Sequence, residues 1–253
     1  MLDEAVSRTL VLQSRMKELG ISYAVFTSES SIAYLAGFWG YLGIEFGRPT
    51  MLVISAHDAP IVITPLMESE MVGEMTWVED VRTWEDAGQR TWARALSETL
   101  PEGLPELWVE KDDLPALVRA FLDERYPDVR LRDIGRILGA QRMIKSALEI
   151  TVMKQAGAVA GAMMAAAHDS LRIGAREYES ALAVIEAGTR KAAGFLTDHG
   201  WERFASPMIH NLQILQSGKD TSMVHRRASV KAYERADPVY FCFCNLAQFK
   251  QYK

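Results

Sequence analysis

Hydrophobic and polar positions along the first 142 residues switch between two periods. In "DEAVSRTLVLQSRMKELG" Val6, Leu10, Leu12, Met16 and Leu19 recur at helical spacing and Gly20 supplies a stop, so a helix is expected there. "SYAVFT" reads as a short strand, and "SSIAYLAGF" as a brief helix closed by Gly37. "TMLVIS" and "PIVITP", separated by "AHDA", read as the two strands of a hairpin. "PLMESEMVGEM", "TWEDAGQRTWARALSETL" and "LPALVRAFLDERYP" read as helices, with strands at "ELWVE" and "VRLRDI" between them. Strands alternating with helices predict an α/β layer architecture rather than a bundle.

The pattern changes after "ILGAQRMIKS". Ser146 and Glu149 form an S-x-x-E capping box, which predicts a long helix beginning there and running to Gly174. Within it Gly157 and Gly161 lie four apart, and with Lys154, Gln155 and His168 breaking the apolar surface they are expected to mark close packing on a core. A second helix follows in "AREYESALAVIEAGTRKAAG". "SPMIHNLQILQSG" and "DPVYFCFCNLAQF" then read as strands flanking a polar loop, "KDTSMVHRRAS". The boundary between two domains is expected near residues 142–146, giving domains 1–142 and 143–253. A strand as aromatic as "VYFCFCNL" seldom ends a domain, so further chain is expected to pack over it.

Composition narrows the function. Apolar residues make up 49% and charged residues 24%, as in an ordinary globular protein, so a core of normal size is expected. A net charge of −5 provides no basic field for nucleic acid and points to a small ligand. "MLDEAVSRTL" lacks the positive and apolar regions of a secretory leader, and the apolar run from Ala156 to Ala167 is too short to span a bilayer. Cys242 and Cys244, two apart, are expected to be reduced thiols, which predicts a cytoplasmic location and no membrane partner.

The candidate chemistry centres on "LQSGKDTSMVHRRAS", where His225 follows Gly218 by seven residues. With "RMIKSALEITVMKQAG" upstream, the order Arg142, Ile144, Lys145, Ser146, Gly218, His225 resembles the pita-bread hydrolases, the family of creatinase, prolidase and aminopeptidase P. The resemblance implies a creatinase-like N-terminal α/β domain followed by the first half of a pita-bread catalytic domain, with His225 catalytic. Metal-dependent members place two aspartates on and after the strand that follows this His, because hard divalent cations need anionic oxygen donors. The matching residues here are Cys242 and Lys253, and a charged lysine cannot ligate. No metal and no cofactor are therefore expected.

"EFGRPTMLVI" is similar to the segment that, in the creatinase branch, reaches into the neighbouring subunit and binds the substrate carboxylate through its arginine. By that resemblance Phe46 and Arg48 bind substrate and the protein is a homodimer. A guanidinium fork suits a carboxylate, and an aromatic ring beside it excludes water. The function implied is hydrolysis of a C–N bond in a small-molecule or dipeptide-like substrate, through proton transfer by His225. Two alternatives stay open: a prolidase-type metallopeptidase with an altered metal site, and a non-catalytic dimerisation or binding module. His210, on the preceding strand, reads as a structural histidine before a lining of the same pocket, whereas His57, His168 and His199 read as surface or capping residues. Trp39 and Tyr41 read either as a substrate wall or as core.

Overall fold

The computed structural model describes residues 2–40, 42, 47–87, 91–201, 203, 205–209 and 213–243. The chain forms two compact units, Met1–Ile144 and Lys145–Lys253.

The first unit is built on a six-stranded sheet whose strands are β1 (Tyr23–Phe26), β2 (Met51–Ser55), β3 (Ile61–Pro65), β4 (Asp80–Trp84), β5 (Glu106–Val109) and β6 (Arg130–Asp133), in the order β4-β3-β2-β1-β5-β6. The expected hairpin is present: β2 and β3 run antiparallel with Met51 opposite Ile63. β2 also pairs antiparallel with β1, while the outer pairs β3–β4, β1–β5 and β5–β6 are parallel. Side chains alternate across the pleat, so neighbours on one strand serve different cores. Ala24, Phe26, Leu52 and Ile54 pack with Leu12, Met16 and Leu35 on one face. Val25, Met51, Val53 and Ile63 pack with Leu96, Val118 and Leu122 on the other. Because both faces are covered, every residue of β2 is buried, which is why "MLVIS" shows no polar alternation.

Two elements differ from the sequence reading. "TWEDAGQRTWARALSETL" is not one helix: its first residues complete β4, and among its described residues the helix is Trp92–Ser97, started by the Thr91 hydroxyl accepting from the Arg94 amide. Trp84 ends β4 opposite Pro65 and its indole donates to the Pro49 carbonyl, contacts that an isolated helical pattern does not register. Gly135–Met143 is a helix that the apolar pattern did not indicate, since Leu138 is its buried residue. The helix Glu29–Ala36 does stop at Gly37, whose φ of 83° is left-handed.

In the second unit the capping box forms as expected. The Ser146 hydroxyl accepts from the Glu149 amide, and the Glu149 carboxylate accepts from the Ser146 amide. The helix they start, Ala147–Ser170, ends before Gly174 and is followed by Glu177–His199. By length and composition Ala147–Ser170 could cross a bilayer, as could many core helices. Val159, Met163 and Ala167 pack on Val184, Ala192 and Ile209. The close approach falls at Gly188, where an added Cβ would meet Met163 Cγ at 2.7 Å. Gly157 and Gly161, expected to do this, are exposed, with open space where a Cβ would stand. Helical spacing identified a small-residue stripe but not the face it occupies. Strands β7 (Gln213–Ser217) and β8 (Val239–Phe243) then pair antiparallel.

Candidate active site

His225 stands on the connection between β7 and β8. After β7 the chain turns through Gly218, whose φ is 60° and whose missing side chain leaves room for two charged neighbours. A Cβ there would lie 2.6 Å from Asp237 Oδ1 and 2.8 Å from Lys231 Nζ, so only glycine fits. A short 3-10 helix, Gly218–Ser222, leads into a turn closed by the Arg226 amide donating to the Met223 carbonyl at 3.0 Å. His225 lies inside this turn and is exposed. Among the described residues its imidazole has no hydrogen-bond partner.

The rest of the loop is heavily bonded. Gln216, fully buried on β7, donates from Nε2 to the Met223 carbonyl and to the Arg226 carbonyl, the latter at 3.0 Å. Residues 229–233 then run beside the start of the second long helix: Tyr178 N donates to Ser229 O, Glu177 N to Lys231 O, and Gly174 N to Tyr233 O. Lys231 Nζ bonds Ser217 O at 2.8 Å and pairs with Asp237 Oδ2 at 3.2 Å.

At the centre is Glu177, with no solvent exposure. Its carboxylate accepts from Arg226 Nη1 at 2.9 Å and Nη2 at 2.6 Å. It also accepts from Ser217 Oγ at 2.8 Å, Ser229 N at 3.0 Å and Ser229 Oγ at 2.7 Å. Burial by itself raises the Glu177 carboxyl, but the bonds from Arg226, Ser229 and Ser217 outweigh it and hold it down to about 2. The same pairing raises the Arg226 guanidinium. Sequence reasoning missed Glu177, Gln216 and Ser229. Glu177 and Arg226 lie 49 residues apart, so no local spacing announces the pair.

Arg48 belongs to the first unit, where its Nε and Nη2 bond the two Asp86 carboxylate oxygens at 3.1 and 2.6 Å. It lines a cavity of about 440 Å³ with Trp84, Asp86, Trp92 and Leu117. Phe46, Tyr41, His210, Cys244 and Lys253 lie outside the described residues. Trp39 is half-buried. Cys242 is half-buried on β8 opposite Ile214 and is in no disulfide among the described residues. His199 bonds Gln155 at 2.9 Å and stacks on Trp201, while His57 and His168 are exposed.

A description of the creatinase/prolidase N-terminal domain matches residues 8–144. The chain belongs to the creatinase/prolidase family. It is 26% identical to the creatinase of Bacillus sp. (strain B-0618) over 252 residues, which are 98% of this chain and 58% of that protein. It is 24% identical to an uncharacterized hydrolase/peptidase of Sinorhizobium fredii, over 76% of this chain and 52% of that protein. Among solved structures, the Xaa-Pro dipeptidase from Bacillus anthracis superposes with a TM-score of 0.74 at 22% identity, covering 97% of this chain and 62% of that one. Prolidase from Pyrococcus furiosus gives 0.72 at 19% identity, covering 93% and 64%. The expected α/β architecture of the pita-bread family is thereby established, and the chain spans only about 60% of the length of these relatives.

By the resemblance Cys242 stands where metal-dependent members carry an aspartate, and a thiol is a softer donor than the carboxylates that hard cations take. Among the described residues no group of three or more His, Cys, Asp or Glu side chains is placed to hold an ion.

Proposed function

We propose that this chain is part of a hydrolase that cleaves a C–N bond in a small carboxylate-bearing compound, without metal, using His225 to move the proton. The observation that carries the reading is the turn at 223–226, which leaves the His225 imidazole exposed while Gln216 and Glu177 bond the backbone and side chains around it. An imidazole held this way can take a proton from water and deliver it to the leaving nitrogen. By family resemblance, substrate is held at its carboxylate by Arg48 from a second copy of the chain, which makes the enzyme a homodimer. The proposal includes a cytoplasmic location, the expectation that follows from reading both cysteines as reduced.

The test uses the full-length protein with creatine and Xaa-Pro dipeptides as probe substrates. His225→Ala should lower kcat by roughly 10²–10⁴-fold and leave KM nearly unchanged. Arg48→Ala should act mainly on KM, losing about 1.5–3 kcal/mol of binding. Mixing the two impaired variants should restore one intact site per mixed dimer, with wild-type KM and kcat at that site. Near-normal turnover by His225→Ala would remove the catalytic role. One or two divalent ions held per chain after dialysis, measured by elemental analysis, would replace this reading with the metallopeptidase one.

A further inference from the structure

We propose that Glu177 and Gln216 are positioning residues for His225, acting from two sides on the turn that carries it; this rests on the catalytic reading of His225 given above. Gln216 holds the carbonyls of Met223 and Arg226, on either side of His225. Glu177 holds the Arg226 guanidinium through both oxygens and takes the Ser229 amide and hydroxyl as well. His225 is left with its backbone fixed and its ring free, so its direction is set by neighbours that do not touch substrate.

The choice of residues supports a geometric role over a purely stabilising one. A buried ion pair is a poor source of stability, because desolvating both charges offsets most of their attraction; apolar residues of similar volume often stabilise as well or better. An apolar pair, however, has no directional bonds and would not fix where Arg226 and Ser229 lie. Orphaned atoms in the same cluster fit this view. Gln216 Oε1 and Arg226 Nε are buried without a hydrogen-bond partner, so the network is not arranged for full polar satisfaction. Ser217 and Lys231, although 3.0 Å apart, do not make a nucleophilic pair. Ser217 is fully buried and its hydroxyl already donates to Glu177, while Lys231 is paired with Asp237.

The experiment uses full-length protein and reads the His225 ring directly. Carbon-13 labelled histidine gives ring signals by NMR, and His225 is assigned by the signal lost in His225→Ala. In Glu177→Gln and in Gln216→Glu the His225 signal should broaden or split, while those of His57 and His168 stay in place. Amide hydrogens of 219–231 should exchange roughly tenfold faster. With a probe substrate, kcat should fall by about ten- to a hundredfold and KM should change less than about twofold, since a displacement on the order of 1 Å is enough for such a loss. In the His225→Ala background Glu177→Gln should cause no further loss, whereas a general structural defect would lower both backgrounds alike. An unchanged His225 signal in both variants, or equal losses in both backgrounds, overturns the positioning role. Normal turnover by His225→Ala with the ring signal still dependent on Glu177 sinks the catalytic reading and leaves the geometric linkage standing. If Glu177→Gln does not fold, Ser229→Ala, which removes the hydroxyl's bond to Glu177 and keeps the amide's, is read the same way.

Discussion

Each unit buries a glutamate against the start of a helix, and the two behave in opposite ways. In the first unit Glu110 accepts from the amides of Thr27 and Ser28 at 3.2 and 3.1 Å and from the Ser31 hydroxyl, capping the helix Glu29–Ala36, whose own N-cap Ser28 makes no side-chain cap. In the second unit Glu177 accepts from serines too, and in addition from Arg226. Burial raises the Glu110 carboxyl, and its neutral donors do not outweigh it, with Asp113 adding repulsion. Glu177 is held down to about 2 despite burial. Hydrogen bonds satisfy a carboxylate's oxygens in both places. Only the guanidinium compensates its charge.

The largest effect is therefore expected from removing that guanidinium. Arg226→Gln leaves Glu177 buried and unpaired, a change that typically costs about 3–5 kcal/mol. Urea denaturation of the full-length protein checks this, and a loss under 1 kcal/mol would mean that the serines alone suffice. Glu110→Gln is the matched control. It keeps an oxygen for the Thr27 and Ser28 amides and removes a charge that burial disfavours, so stability at neutral pH should change by no more than about 1 kcal/mol.

The pH responses should also oppose each other. For Glu177 the folded value is lowered, so its stabilising contribution is present above the ordinary carboxylate range and is lost as pH falls toward about 2. For Glu110 and for Glu68, also raised by burial, the contribution is full below that range and is lost as pH rises through the raised value. Hydrogen exchange read by peptide should show 213–239 opening first in acid, while 23–36 gains protection. The reverse order would contradict the assignment of charge states.

The same contrast explains what could be read from the chain. The capping box at Ser146, the β2–β3 hairpin and the Gly37 stop rest on residues within a few positions of one another, and all were legible. β4 was not, because Trp84 is held by Pro49 and by pairing with Pro65, contacts made in space rather than along the chain. His225 stood out by resemblance and by its place after Gly218. Gln216 and Glu177 did not: one reads as a polar residue in a strand and the other as a routine acidic residue in a helix's first turn. Their roles arise only when residues up to 52 positions apart meet.

The smallest stability effect, and the most informative about substrate, belongs to the exposed counterpart of the Glu177–Arg226 pair. Arg48 and Asp86 also meet as a two-point carboxylate–guanidinium pair, but their side chains are 35% and 57% exposed. Water screens such a pair, so its contribution is typically only about 0–1 kcal/mol and Asp86→Asn should leave stability nearly unchanged. Its effect on binding should be larger in proportion. Asp86 occupies Nε and Nη2 of Arg48, and Nη1 is 3.8 Å from Met67 Sδ, so under the proposed function a substrate carboxylate competes with Asp86 for the fork. Removing that competitor should lower KM for a carboxylate-bearing substrate by about two- to fivefold with kcat little changed, as expected when ground state and transition state are stabilised equally. Raising the salt concentration should shrink the difference, since salt screens an exposed pair. A higher KM in Asp86→Asn would give Asp86 the opposite role, that of aiming Arg48 rather than competing for it.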